Sequence, residues 1–476
     1  MKLKRKFYIT TAIDYTNDTI HIGHIYQKVI ADVLARYHRM IGDKVFFLTG
    51  IDEHGGKVEE AAAQAGFAGR EKEFVDQIAL SDKKEQESIG ISFDRFIRTT
   101  DPDHVDFCLE FWKKVERSGD IYQGDYDGVY CGGCEGYLTK SDLKDNKCPY
   151  HPNQELKIIK EKNYFFRWSK YANFLREHIN SHQEFIWPDY RRNEMLSFIE
   201  QGIQDIPISR SNIKWGIPVP NDPTQTIYVW FDALINYLSG APEGFWPANI
   251  HILGKDNTRW HALFWPAMLK SAGFELPKTI LVNGFLSLNG QKISKSLGNI
   301  IRTSELVEQF GADAIRYYLL KSKPIDTDGD ISLNKIKEIY NADLANGLGN
   351  LVQRIARLCD IKGYSPQVPL ATSLCNPLEN AGYKTHLEKI ELNLALEEIW
   401  RQIKLTDALV NQERLWEKSK EKVKIGLKDA VRNLVDIAYA LKPFLPQTAE
   451  KIESIFRPNK NISKITPEES LFPKIN

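Results

Sequence analysis

Residues 7–13 form an apolar run that ends at Asp14, the pattern of a buried strand. Beyond a polar loop, Ile25, Val29, Ile30, Val33, Leu34, Tyr37 and Ile41 recur every three to four positions, which predicts a helix with one apolar stripe. A second strand over 45–49 opens onto Gly50-Ile51-Asp52-Glu53-His54-Gly55-Gly56, and a helical stretch follows over 59–64. Strand, helix, strand, helix in succession predicts a doubly wound parallel α/β sheet of Rossmann-like type. Asp101-Pro102 starts a further helix that runs to about residue 118. Between about 120 and 205 the periodicity breaks into turns rich in Gly, Tyr and Cys, which reads as an insertion. Strand signals resume over 226–230, 250–253 and 279–282, as if the parallel sheet were being completed. From about Leu333 onward they nearly vanish. Leu344, Leu348, Leu351, Val352, Ile355 and Leu358 share one helical stripe, and 392–410 and 423–441 supply more, predicting an α-helical bundle. The expected organisation is the first half of the α/β domain over 1–118, the insertion over 119–205, the second half over 206–335 and the helices over 336–476.

The chain has 476 residues, 42% apolar and 26% charged, a composition that excludes collagen-like, disordered and disulfide-stapled miniature proteins. Lys+Arg and Asp+Glu balance at 63 each, so any contact with nucleic acid is expected to be local. No run approaches the ~18 consecutive apolar residues of a membrane span, and we expect no membrane crossing. Of six cysteines, Cys131, Cys134 and Cys148 cluster while Cys108, Cys359 and Cys375 stand alone, which suits a reducing cytoplasm.

His21-Ile22-Gly23-His24 lies between the first strand and the first helix, where backbone N–H groups and the helix dipole favour an anion. Two imidazoles there can donate to phosphate oxygens, and Gly23 removes a side chain where a nucleotide would approach the backbone. Read alone, the pair is more readily two surface histidines at a helix start. Gly290-Gln291-Lys292-Ile293-Ser294-Lys295-Ser296-Leu297-Gly298-Asn299 sets two lysines three apart in a glycine-bounded loop that can close on a triphosphate and offset charge on a departing pyrophosphate. Read alone, this too is an exposed polar loop. No Walker phosphate loop competes, because Gly56-Lys57 is followed by Val58 where Ser or Thr is needed. Cys131, Cys134, Cys148 and His151 form a Cys₃His pattern with a two-residue spacer in each half, pointing to one structural zinc; three reduced core cysteines and a surface histidine are the alternative. Asn346, Asn350, Arg354 and Arg357 recur at helical spacing off the leucine stripe, and Trp416 stands beside Lys418, Lys420, Lys422 and Lys424. An aromatic among basic residues fits stacking on unpaired bases, although each feature alone is also a solvated helix face.

The histidine and lysine motifs together resemble the signature pair of class I aminoacyl-tRNA synthetases. The flanking residues Ile9-Thr10-Thr11, Asn17-Asp18, 31–37 (ADVLARY), Asp52-Glu53-His54-Gly55, 228–233 (YVWFDA) and Asn283-Gly284-Phe285 are similar to the methionine-specific family within that class, over nearly the whole chain. The resemblance implies ATP-dependent activation of L-methionine to methionyl-adenylate, then transfer to the 2′-hydroxyl of the terminal adenosine of tRNA(Met), initiator and elongator. Mg²⁺ would accompany ATP. His21, His24, Lys292 and Lys295 would act in catalysis, and Gly23, Gly254, Asp256 and Ser294 would join them around ATP. Asp52 would hold the methionine ammonium, with Ile13, Tyr15, Trp230, Ala233, Leu234, Tyr237 and His261 around its side chain. Aromatic faces suit a polarizable thioether, each contact contributing ~0.3–1.5 kcal/mol. Asn350, Arg354 and Trp416 would read the anticodon.

Asp14 and Leu234 stand where the family usually carries Pro, which bears on the shape of the methionine site, and Ile293 replaces the commoner Met. After Trp416 the pattern leaves one more helical segment and a tail, so the additional tRNA-binding or dimerising domain of some members is not expected and a monomer is the default. Synthetases for leucine, isoleucine, valine or cysteine are the near competitors. Branched-chain enzymes need an editing domain because one methylene discriminates by only ~1–3 kcal/mol, and 119–205 has no room for one. A small-molecule nucleotidyltransferase leaves the helical C-terminal third unexplained, and a non-catalytic zinc and RNA-binding module leaves both ATP motifs unexplained.

Overall fold

The computed structural model describes residues 4–133, 136–138, 143–149, 152–293, 300–365, 378–379, 381–456 and 470–475. By contact it divides into two compact units. One comprises residues 1–20, 44–86 and 93–283; the other comprises 21–43, 87–92 and 284–476.

The first unit is built on a seven-stranded parallel sheet. Its strands are β1 (Lys6–Thr11), β2 (Asp14–Tyr15), β3 (Lys44–Asp52), β4 (Arg95–Arg98), β5 (Ile186–Trp187), β6 (Ile250–Gly254) and β7 (Thr279–Asn283). β3 pairs with β4, β1 and β2; β1 pairs with β6; β6 pairs with β7; and β7 pairs with β5. The buried runs explain the choice: Phe7 to Thr11 and Phe47 to Asp52 are buried, as parallel strands covered on both faces must be. Chain order reverses between β1 and β6. That is the point where open α/β sheets form a crevice beyond their carboxyl ends.

Two expectations are corrected here. The apolar run at 226–230 does not join the parallel sheet. Its strand is Asp222–Ile227, antiparallel to Ser209–Arg210 and Pro218–Val219 in a small separate sheet. Tyr228 then caps a helix, Val229–Leu234, so Trp230 lies on a helix and ends no strand. Conversely, the irregular stretch before residue 205 supplies β5, two residues long and too short to leave a period. The rest of that stretch is dominated by a long antiparallel pair, Ile121–Cys131 against Lys157–Phe166.

The second unit holds the helix Ile22–Met40, whose predicted apolar stripe is buried from Ile25 to Tyr37. It also holds the hairpin Leu286–Leu288 and Gln291–Lys292 and the helices Ala312–Lys321, Asn350–Lys362, Leu392–Gln412, Lys420–Leu441 and Pro446–Ile455. Two helices follow Trp416, where one was expected, because Pro446 opens a new helix after the turn at Phe444 and Leu445. Arg316, fully buried, pins this unit. It contacts Asp32 at 2.7 Å and donates to the carbonyls of Phe444 (2.7 Å) and Pro443 (3.0 Å). Asp32 also receives Arg36 and the Ser92 backbone N–H, each at 2.7 Å, so its buried charge is compensated.

Candidate active site

At the carboxyl end of the sheet, β2 runs beside the last residues of β3, placing Asp14 opposite Ile51 and Tyr15 opposite Asp52. Thr16 clamps the Asp52 carbonyl with its backbone N–H (3.0 Å) and its hydroxyl (2.9 Å). Asp52 is therefore fixed, nearly buried, where this sheet architecture binds ligands. β6 ends at Gly254 on the other side of the reversal point, followed by a short turn, Lys255–Asn257, that leaves Asp256 exposed.

Of the residues expected around the methionine side chain, Trp230, Tyr237 and His261 come together in this unit. His261 sits in a π-helical turn, Trp260–Phe264, with Pro266, which lacks an N–H, just beyond. Its Nδ1 lies 2.9 Å from the Asn257 carbonyl, an acceptor only, so Nδ1 carries the proton. Nε2 is then the acceptor, and the Tyr237 hydroxyl donates to it over 2.7 Å. Burial lowers the imidazole to about 4, which keeps it neutral. Trp230 stacks on Trp260 with centroids 4.8 Å apart and meets His261 edge-on at 6.3 Å. Ile13, Tyr15 and Trp230 are half-buried against the main core, whereas Leu234 is a fully buried core residue of it. Ala233, nearly buried, stands beside Leu234 on the same helix. Asp14, where a proline was usual, is buried, and its charge helps raise the Tyr237 hydroxyl, though burial of that hydroxyl contributes more.

Three residues with no assigned role join this site. Asp232 accepts from His54 and His104, each at 2.7 Å. His54 and Asp232 fall within motifs that carry the family resemblance, whereas no sequence pattern marks His104.

In the second unit, His21 caps the helix Ile22–Met40. Its Nδ1 accepts from the Gly23 N–H (3.1 Å), and the His24 Nδ1 accepts from the His21 N–H (3.2 Å). Each ring thereby carries its proton on Nε2, away from the backbone, so two neutral imidazoles 4.1 Å apart become donors. Burial and the Lys28 charge lower His24 to about 4. Gly23 has a local reason. A Cβ there would stand 2.8 Å from His21 Cε1, so only glycine lets the ring fold back over its own helix. The lysine motif reaches this place: Ile293 Cδ1 would lie 4.0 Å from that Cβ, and the Ile22 N–H donates to the Ile301 carbonyl at 3.4 Å. Lys292 lies on the second strand of a tight hairpin whose turn, Asn289-Gly290, takes positive φ at both residues. Ser294 and Lys295 lie outside the described residues, as does the side chain of Lys292.

Of the expected zinc ligands, Cys131 and Cys148 are fully buried in one small cluster with Leu138. Cys134 and His151 lie outside the described residues, among which no group of three or more candidate ligands occurs. In the helical region Asn350 lines a cavity of about 350 Å³ together with Asn346, Asp407 and Asn411. Arg354, one turn on, is engaged by Asp407 (2.6 Å) and Asn411 (2.7 Å). Trp416 is 45% exposed, and its carbonyl is held by Lys362 at 3.0 Å. Because Lys362 ends the helix that Asn350 begins, roughly 18 Å of helix separates the two ends.

Comparison with known proteins gives the family and the fold. The family described as tRNA synthetases class I (M) matches residues 7–157 and 141–356. A methionine–tRNA ligase of Caldanaerobacter subterraneus is 38% identical over 510 aligned residues, spanning 100% of this chain and 80% of its own. That of Thermosynechococcus vestitus is 40% identical over 473, spanning 94% and 89%. A Mycobacterium tuberculosis methionyl-tRNA synthetase solved in complex with methionyl-adenylate superposes with a TM-score of 0.88 at 34% identity, covering 98% of this chain and 100% of that one. The apo form of the Mycobacterium tuberculosis enzyme gives 0.79 at 31% identity. On the parallel sheet, its reversal point and these matches across nearly its whole length, the chain belongs to the methionyl-tRNA synthetase family of class I tRNA synthetases.

Proposed function

We infer that this chain activates L-methionine with ATP and charges tRNA(Met) with it. The methionine carboxylate oxygen attacks the α-phosphorus, the bond to the β-phosphate oxygen breaks, and pyrophosphate leaves. The 2′-hydroxyl of the terminal adenosine then attacks the carbonyl of the mixed anhydride, releasing AMP. Neither step needs a protein nucleophile, so positioning and charge are the protein's contribution. Bound Mg²⁺ would neutralise phosphate charge.

In this reading His21 and His24 donate through Nε2–H to phosphate oxygens, Gly23 keeps the His21 ring in place, and Lys292, Ser294 and Lys295 offset charge on the departing pyrophosphate. Gly254 and Asp256 contact the adenosine side. Asp52 holds the ammonium, while Trp230, Tyr237 and His261, with Ile13, Tyr15, Ala233 and Leu234, shape the thioether pocket. The Tyr237 proton is committed to His261, so that wall offers a polar competitor no hydroxyl donor. The observation that carries the reading is the meeting of the two ATP motifs at Gly23 and Ile293.

Around this core, 1–118 and 206–335 make the catalytic domain, 119–205 the connective insertion, apart from the strand Ile186–Trp187 that joins the parallel sheet, with a structural zinc on Cys131, Cys134, Cys148 and His151, and 336–476 the anticodon-binding helices. Two buried thiols in one cluster fit half of that zinc set. Asn350, Arg354 and Trp416 read the anticodon of initiator and elongator tRNA. No helix among the described residues is long and apolar enough to cross a membrane, and in this reading the enzyme is cytoplasmic and monomeric. The test is exchange of labelled pyrophosphate into ATP with every standard amino acid: methionine alone should stimulate it. Stimulation by leucine or cysteine instead would defeat the specificity, and none at all the activity.

A further inference from the structure

Asp232 is fully buried among aromatic rings, yet it is a carboxylate. Phe231 next to it packs edge-on against Phe111 and Trp112, at 5.9 and 5.4 Å, so apolar packing alone would be served by an apolar residue here. Both of its oxygens are used. Oδ2 accepts from His54 Nδ1 and Oδ1 from His104 Nε2, each at 2.7 Å. His104 Nδ1 lies 2.8 Å from the Ser239 hydroxyl, which orients the second imidazole in turn. Two imidazole donors outweigh burial and bring the Asp232 carboxyl down to about 2, so the group is ionised throughout the working range.

The placement of the partners gives the charge a purpose. His54 is two residues beyond Asp52, in the loop that leaves β3. That loop is held on its other sides as well. Glu53, itself buried, takes Arg98 at 2.8 Å, its N–H donates to the Thr99 hydroxyl at 2.9 Å, and the Gly55 N–H donates to the Trp215 carbonyl at 3.1 Å. Asp232 stands on the helix Val229–Leu234, between Trp230 and Ala233. One carboxylate therefore ties the strand end that carries Asp52 to the helix that carries Trp230. A carboxylate with two fixed donors imposes distance and direction, which apolar contact does not.

We propose that Asp232 is a positioning residue for methionine recognition, setting the Asp52 carboxylate, through His54, at a fixed distance from the aromatic wall. The proposal rests on the reading that Asp52 holds the substrate ammonium. It separates from a merely structural role because it acts on the amine end of the ligand alone.

The experiment measures binding of methionine and of 4-(methylthio)butanoic acid, which keeps the thioether and carboxylate and lacks the amine. Proteins are the wild type, Asp232→Asn, His54→Gln and His104→Gln. The wild type should bind methionine at least about tenfold more tightly than the amine-free acid, as for a charge-assisted contact. Asp232→Asn and His54→Gln should cut that ratio by about fivefold or more, with affinity for the amine-free acid and KM for ATP within about twofold of wild type. His104→Gln, one partner removed, should act in the same direction more weakly. Should Asp232→Asn fail to fold, His54→Gln decides alone. Equal weakening of both ligands, or an unchanged ratio, overturns the proposal while leaving the Asp52 reading intact. A wild type that binds both ligands equally overturns that reading, and this proposal with it.

Discussion

Ile293 lies against Gly23. A Cβ built on that glycine would stand 4.0 Å from Ile293 Cδ1, so the lysine motif meets the histidine motif at the start of the helix Ile22–Met40. The neighbouring backbone bond from Ile22 to Ile301 closes the other end of the lysine segment onto the same turn. Motifs far apart in the chain thus share one helix N-terminus, a place suited to phosphate.

If the imidazoles and ammonium groups act on charge that develops in the reaction, their loss should appear in the rate. His24→Ala or Lys295→Ala should slow adenylate formation by about 10²–10³, the range seen when one such donor is removed, with little change in methionine affinity. Rapid-quench measurement of adenylate alongside equilibrium methionine binding checks this; equal losses in both would contradict it.

Neutral histidines, one buried and two half-buried, make folding sensitive to mild acid. Burial lowers His24, His178 and His261 from 6.5 to about 4, so between those values the unfolded chain takes up protons that the folded chain refuses. Their contribution is present above 6.5 and is lost progressively as pH falls towards 4. Asp232, held near 2, stays ionised in both states until pH nears the ordinary carboxylate range, so it does not oppose this. Thermal unfolding at constant ionic strength should show a midpoint that falls from pH 7 to pH 5. A midpoint that rises would refute the assignment.

Much of the fold was legible in the apolar pattern. The stripe from Ile25 to Tyr37 has a helical period long enough to read, and the runs at 250–253 and 279–282 are short apolar stretches of the kind a buried parallel strand shows. β5 was not legible, since two residues carry no period, and Trp230 was misplaced onto a strand because aromatic residues favour strands and helix interiors alike when buried. Within the site, Tyr237 and His261 were named, but their hydrogen bond and the tautomer it fixes depend on Asn257, which has no sequence signature. The Asp232 bridge was invisible for the same reason: His54, His104 and Ser239 come together only in three dimensions. The engagement of Arg354 by Asp407 and Asn411 is another such tertiary fact.

Purified protein should hold about one zinc per chain if Cys131 and Cys148 are half of a Cys₃His site. Atomic absorption on wild type and Cys148→Ser tests it, with loss of metal and a lowered unfolding midpoint expected in the variant. Under about half an equivalent in wild type, with folding unchanged by chelator, would remove zinc from the account.

Trp416 offers a half-exposed ring on a backbone held by Lys362. Stacking on an unpaired base contributes ~1–3 kcal/mol, so Trp416→Ala should weaken initiator tRNA binding by about fivefold to a hundredfold. Pyrophosphate exchange, which needs no tRNA, should be unchanged. Unaltered tRNA affinity would remove Trp416 from the interface.

The most direct measurement is a double-mutant cycle on adenylate formation, comparing wild type, His24→Ala, Lys295→Ala and the double variant in single turnover. Two motifs acting on one ATP should be coupled by ~0.5–3 kcal/mol, so the double variant should lose several-fold less than the product of the single losses. Losses that multiply without remainder would mean that the histidines and the lysines serve separate ends.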